Sequence, residues 1–226
     1  AVLLDRDGQF VRTLDTNPVF ELDGWELGRM ELTHAPASRS TDEDPVALEV
    51  QLIYPPDFDP DRTYPVWFLT YAGPHAPTVR DSWSGGRTQD QMLATSGFIV
   101  CRSEPYSASG KGARSAWVAY RQLGTEEMKD IDDLMRWLKE KPYVDGSRIG
   151  MSGFSYGGFM TAFAMTHSDH FAAGIAGGSV TSWNDYDSIY TERYMQTPQD
   201  NPEGYAGTSV VAAAKNLKGN LLIVHG

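Results

Sequence analysis

Gly153-Phe154-Ser155-Tyr156-Gly157 sets a serine between two glycines in the Gly-x-Ser-x-Gly spacing of residues that attack acyl carbons. A serine hydroxyl is a weak nucleophile at neutral pH. It needs a histidine base, a carboxylate to orient that base, and donors for the oxyanion that forms. The glycines serve the geometry: a serine at a sharp strand-to-helix turn sits in strained backbone, and side chains at positions 153 and 157 would clash across that turn. The Tyr156 amide opens the helix that follows, where negative charge would develop. Downstream of Ser155 come His167, His170 and His225. The first two follow the elbow helix too closely to return to the serine and His225 ends an apolar run, so none of them is nominated as the base.

An elbow of this kind needs a strand before it and a helix after it, and both are legible. RIGMS (148–152) is a short apolar run, and FMTAFAMTH (159–167) has the composition of a helix. Further runs, VWFLTYAG (66–73), GFIVC (97–101), AAGIAGG (172–178) and NLLIVHG (220–226), suit strands covered on both faces. VALEVQLIYPP (46–56) alternates as a strand does. In TEEMKDIDDLMRWLKEK (125–141), Met128, Ile131, Leu134, Met135 and Leu138 recur at helical spacing, acidic residues lead, and Pro142 stops the helix. The alternation predicts an α/β fold, with a mostly parallel sheet flanked by helices and joined by right-handed crossovers. At the start, AVLLDRDGQFVRTLD reads as a hairpin about Asp7-Gly8 that needs a neighbour to bury one face. PASRSTDEDP (36–45) reads as a polar surface loop.

Composition removes several classes of function. With 226 residues and 41% hydrophobic content the chain can bury one sizeable core. A net charge of -11, without clustered Lys or Arg, argues against nucleic acid as a partner. Cys101, the only cysteine, lies in an apolar run and reads as core packing, so neither an internal disulfide nor a cysteine metal cluster is expected. No metal or organic cofactor is implied. No apolar stretch approaches the roughly 20 residues of a membrane-spanning helix. The opening AVLLDRDGQF has no Met and no processing signal, which suggests a start partway through a longer product.

Five stretches together resemble the catalytic domain of the prolyl oligopeptidase family of serine peptidases, most of all its dipeptidyl peptidase IV branch. They are PPDFDPDRTYPVWFLTYAGP (55–74), the Leu-Gly of RQLGTEEMKD (121–130), YVDGSRIGMSGFSYGG (143–158), SVTSWNDYDSIYTERYM (179–195) and LLIVHG (221–226). The resemblance implies an α/β-hydrolase fold over residues 20–226, cut before its last strands, with residues 1–19 ending a preceding β-propeller or linker. It places the catalytic Asp a few residues past Gly226 and the His further on. It gives the Tyr71 hydroxyl a share of the oxyanion beside the Tyr156 amide, and makes Tyr156, Val180, Trp183, Tyr186 and Tyr190 the walls of a proline pocket. A flat apolar slot suits proline, which has no backbone N–H to satisfy. Glu192 and Arg193 match the family and imply an ion pair supporting that pocket.

The implied activity is release of Xaa-Pro or Xaa-Ala dipeptides from peptide amino termini through an acyl-enzyme. Acylaminoacyl peptidase, tripeptidyl peptidase and prolyl oligopeptidase are its neighbours; an esterase or a non-catalytic homologue stands further off. A peptide substrate, a homodimer and a periplasmic or secreted location follow from the same resemblance. Two departures stand out: Ser103-Glu104-Pro105-Tyr106-Ser107 replaces an Asp-x-Arg-Gly segment, and Phe154 replaces a tryptophan.

Overall fold

Short apolar runs flanked by polar turns become the strands of one curled sheet, and the longer periodic segments become the helices that cover it. The computed structural model describes residues 1–16, 18, 20–82 and 88–226. In chain order the elements are β1 (Val2–Leu4), β2 (Phe10–Thr13), β3 (Met30–Pro36), β4 (Ala47–Ile53), β5 (Tyr64–Leu69), α1 (Thr88–Thr95), β6 (Ile99–Ser103), α2 (Ala113–Trp117) and α3 (Thr125–Lys139). They continue with β7 (Val144–Phe154), α4 (Tyr156–His167), β8 (Ala173–Gly177), α5 (Ser188–Met195), α6 (Pro202–Gly207), α7 (Val210–Ala213) and β9 (Asn220–Val224). The seven-stranded sheet runs β3-β4-β6-β5-β7-β8-β9. From β6 to β9 every pairing is parallel, and β3 and β4 join antiparallel at one edge.

Hydrophobic burial explains this layering. α3 turns Met128, Ile131, Leu134, Met135 and Leu138 into the core at the expected spacing, and its first turn carries Glu126 and Glu127. These pack with Leu48, Val66, Phe68, Ile149 and Met151 of the sheet and with Phe159, Met160 and Phe163 of α4. α4 is buried from Tyr156 to Thr166, because it is apolar on every side and lies between sheet and neighbouring helices. A smaller cluster of Ile53, Leu69, Ala94 and Val100 packs with α1. Cys101 is fully buried, and burial raises its thiol pKa. Among the described residues no helix is long and apolar enough to cross a membrane.

Two expectations are refined and one strand is added. The apolar run 66–73 does not stay a strand to its end: β5 stops at Leu69, and Tyr71 stands on the loop beyond it. β3 has no run of large apolar residues to mark it: it is an edge strand whose Met30 and Leu32 remain exposed and whose buried core contact is the small Ala35. The hairpin forms, with β1 antiparallel to β2. Every residue of both its strands is exposed, so it buries no face against the sheet.

Candidate active site

β7 delivers Ser155 to the carboxyl edge of the sheet between β5 and β8, and α4 starts at once after it. The serine has φ 60° and ψ -117°, a backbone that L-residues rarely adopt. Its amide donates to the Gly177 carbonyl at 2.8 Å, which holds that strained turn against β8. The flanking glycines are required by close approach. A Cβ at Gly153 would lie 2.5 Å from the Gly157 and Thr70 carbonyls, and one at Gly157 would lie 2.3 Å from the Thr70 oxygen. The clash across the turn thus accounts for Gly153, whereas the end of β5 crowds Gly157. Gly158 is equally confined, its Cβ position 2.3 Å from the Gly177 oxygen.

Tyr71 reaches the serine from the loop after β5. The chain leaves the strand through Ala72 in left-handed backbone (φ 59°). Gly73 lets the Tyr71 ring lie down: a Cβ there would come 2.5 Å from the ring. Desolvation raises the Tyr71 phenol pKa and the nearby Tyr186 phenol adds to it, while a hydrogen bond with Ser155 works in the opposite direction. The phenol is therefore a neutral donor at physiological pH, adjacent to the serine. The second donor is the Tyr156 amide, which as a first-turn amide of α4 has no intrahelical acceptor. The Tyr71 and Tyr156 rings are 6.0 Å apart.

Beside these groups the aromatic side chains converge. Trp183, almost wholly buried, has its ring 5.7 Å from Tyr156, 5.8 Å from Tyr186 and 6.0 Å from Tyr190, stacking on the last at 21°. Tyr186 and Tyr190 meet edge to face at 5.8 Å. Asp187 fixes this arrangement by capping α5, its carboxylate accepting from the Tyr190 amide at 2.9 Å. Burial pushes the Tyr190 and Tyr156 phenols well above their ordinary range, so both remain uncharged. Val180 is half-buried on the same core. The proposed ion pair of Glu192 with Arg193 is not formed. Both are exposed, neither has an opposite charge within 4 Å among the described residues, and Arg193 instead edges a cleft with Trp117, Tyr120 and Tyr194.

The histidines downstream of Ser155 do not meet it. α4 is 12 residues long, so His167 at its far end stands about 18 Å from the elbow. His167 stacks on Phe163 at 3.9 Å and, with His170, lines a polar cavity of 660 Å³ with Asp132, Arg136 and Lys218. His225 directly follows β9, whose Val224 pairs with Gly177. What sequence reading missed lies beneath the site: Glu127, wholly buried, accepts from the Ser107 hydroxyl at 2.8 Å and from the Gly124 amide at 2.9 Å. As one acid among several at a helix start, it carried no mark of this role.

The sequence profile of the prolyl oligopeptidase family matches residues 84–226. The chain belongs to the prolyl oligopeptidase family. Among relatives in that family, a probable dipeptidyl-aminopeptidase B of Ajellomyces capsulatus is 38% identical over 188 residues, covering 81% of this chain and 20% of that protein. Venom dipeptidyl peptidase 4 of Vespula vulgaris is 38% identical over 184 residues, covering 79% of this chain and 24% of the venom protein. The crystal structure of Porphyromonas gingivalis dipeptidyl peptidase 4 superposes with a TM-score of 0.84 at 34% identity, covering 96% of this chain and 30% of that one. The chain has the family's α/β-hydrolase fold. It spans about a fifth to a third of the length of these relatives.

Proposed function

We propose that the protein is a serine peptidase that releases Xaa-Pro or Xaa-Ala dipeptides from the amino terminus of peptides. The observation that carries this reading is the convergence of a strained Ser155, the Tyr71 phenol beside the elbow, and an aromatic wall of Trp183, Tyr186 and Tyr190. In this scheme the Ser155 Oγ attacks the carbonyl carbon of the substrate's second residue, and its proton passes to a histidine base. The carbonyl oxygen, becoming an oxyanion, accepts from the Tyr71 hydroxyl and the Tyr156 amide. The C–N bond then breaks, the leaving amine takes the proton from the histidine, and water hydrolyses the acyl-enzyme. The proline ring stacks in the slot walled by Tyr156, Val180, Trp183, Tyr186 and Tyr190.

The resemblance to the family implies that the base and its orienting carboxylate lie in sequence beyond residue 226. By the same reading, residues 1–19 join residues 20–226 to a preceding β-propeller that grips the substrate's free amino group, and two copies pair as a homodimer. Sedimentation of the intact gene product tests the dimer. The activity is tested with a Gly-Pro chromogenic amide bearing a free amino terminus, set beside its acetylated twin. Cleavage of the free form alone is the expected result. Preference for the acetylated form would move the protein to the acylaminoacyl or oligopeptidase side, and hydrolysis of esters alone would make it an esterase.

A further inference from the structure

Tyr71 stands one residue past the last bond of the β5–β7 ladder, in which the Thr70 amide donates to the Ser152 carbonyl at 3.0 Å, and the chain then passes through two left-handed residues, Ala72 and His75. A loop of that kind drifts unless it is tied, and past Tyr71 it is held by ties to segment 103–109. The Val79 amide donates to the Glu104 carboxylate at 2.8 Å, the His75 amide to the Ser107 carbonyl at 3.1 Å, and the Ser109 hydroxyl to the His75 carbonyl at 2.6 Å. Segment 103–109, in turn, rests on α3. The Tyr106 amide donates to Asp130 at 2.7 Å and the Ser107 hydroxyl to Glu127 at 2.8 Å. Arg39 clamps Asp130 at 2.8 Å and lies over the Tyr106 ring at 5.0 Å. This is the segment in which the family's Asp-x-Arg-Gly is missing; the support comes from buried carboxylates below it.

Glu127 is the inner support. Its other oxygen accepts from the Gly124 amide, so the side chain caps its own helix while holding Ser107. The same Gly124 fits against Phe159 of α4, whose ring would be 2.7 Å from a Cβ there. The two donors aimed at the oxyanion, Tyr71 through the loop and Tyr156 through α4, therefore share one footing. We propose that the first turn of α3 sets the position of Tyr71 through the Glu127 carboxylate and the Ser107 hydroxyl, making both positioning residues for acyl transfer. The inference rests on the Ser155 peptidase reading above.

The test is a double-mutant cycle in the intact gene product, with the free Gly-Pro amide as probe. Ser107→Ala is expected to lower kcat on the order of 10-fold with KM little changed, because misplacing an oxyanion donor weakens the transition state alone. Ser107→Thr, which keeps the hydroxyl, should restore most of the loss. In a Tyr71→Phe background Ser107→Ala should cost nothing further, since the donor it positions is already gone. Losses that add in the double variant, a rise in KM with kcat intact, or wild-type kinetics in Ser107→Ala would each overturn the proposal. Glu127→Gln run through the same cycle gives an independent answer should Ser107→Ala fail to fold. If the wild-type protein leaves the amide untouched, the peptidase reading fails by itself; the cycle, repeated on phosphonylation of Ser155, still decides the positioning.

Discussion

Under the proposed mechanism the Tyr71 hydroxyl is one of two oxyanion donors, so its removal leaves Ser155 with half an oxyanion hole. Tyr71→Phe keeps the ring over Gly73 and its contact with Tyr156, so stability should hardly change. The expected result is a fall in kcat on the order of 100-fold with KM nearly unchanged, read from steady-state kinetics on the Gly-Pro amide. Glu127 offers a second test at this scale. Its carboxyl is pushed up to about 7, above all by burial, with Asp130 on its own helix adding to the effect while the Ser107 and Gly124 hydrogen bonds oppose it. Tyr156 on α4 and Tyr190 on α5 also face it, and Arg39, at the same end of α3, is engaged by Asp130 and Glu126. The folded protein thus binds this proton more tightly than the unfolded chain. The stability from this group is complete below the ordinary carboxylate range and is lost as pH rises through about 7. Glu127→Gln removes that dependence, so unfolding midpoints at pH 5 and pH 8 should converge in the variant relative to wild type. An unchanged difference between the two pH values would show that Glu127 titrates normally.

At the scale of elements, the elbow was legible because it is local: a strand, a tight turn and a helix within about twenty residues, with glycines wherever backbone meets backbone. Gly157→Ala tests this directly. Its Cβ would press on the Thr70 carbonyl at 2.3 Å, an atom fixed in the chain that leads to Tyr71. Because backbone cannot yield as a flexible side chain does, the substitution should cost several kcal/mol or abolish organophosphonate labelling of Ser155. Full labelling at wild-type stability would mean that β5 and α4 are not packed this closely. The aromatic cluster proposed as a proline slot was suggested only by family resemblance, since aromatic residues at helical spacing more often mark core. The α3 footing left no trace in sequence: Ser107 and Glu127 lie 20 residues apart, Tyr106 and Asp130 24 apart, and such pairs have no periodicity. The Glu192–Arg193 pair failed for a local reason. Adjacent residues on a helix point about 100° apart, and both of these face solvent.

Across residues 1–226, the sheet is well covered at its centre, and β9 is the outermost described strand on one side. With these residues taken alone, β9 pairs only with β8, and its Leu222, Ile223 and Val224 are 56%, 56% and 53% exposed, so an isolated piece of this extent presents apolar, unpaired surface there. Two effects compete when residues 1–226 are prepared alone. The net charge of -11 drives copies apart, whereas pairing of these edges would bury several large side chains at roughly 1.5–3 kcal/mol each. Repulsion between exposed charges is screened over about 8 Å at physiological ionic strength, while burial is not. Association should therefore win in salt and weaken without it. Light scattering on residues 1–226 is expected to show assemblies that grow as salt is raised from about 10 mM to about 150 mM, which shortens the screening length from about 30 Å to about 8 Å. Ile223→Lys places a charge on the exposed edge strand, the device by which natural sheets discourage edge pairing, and should keep the chain dispersed at both salt levels. Dispersed wild-type chains at high salt would show that β9 is not the exposed edge that its burial describes.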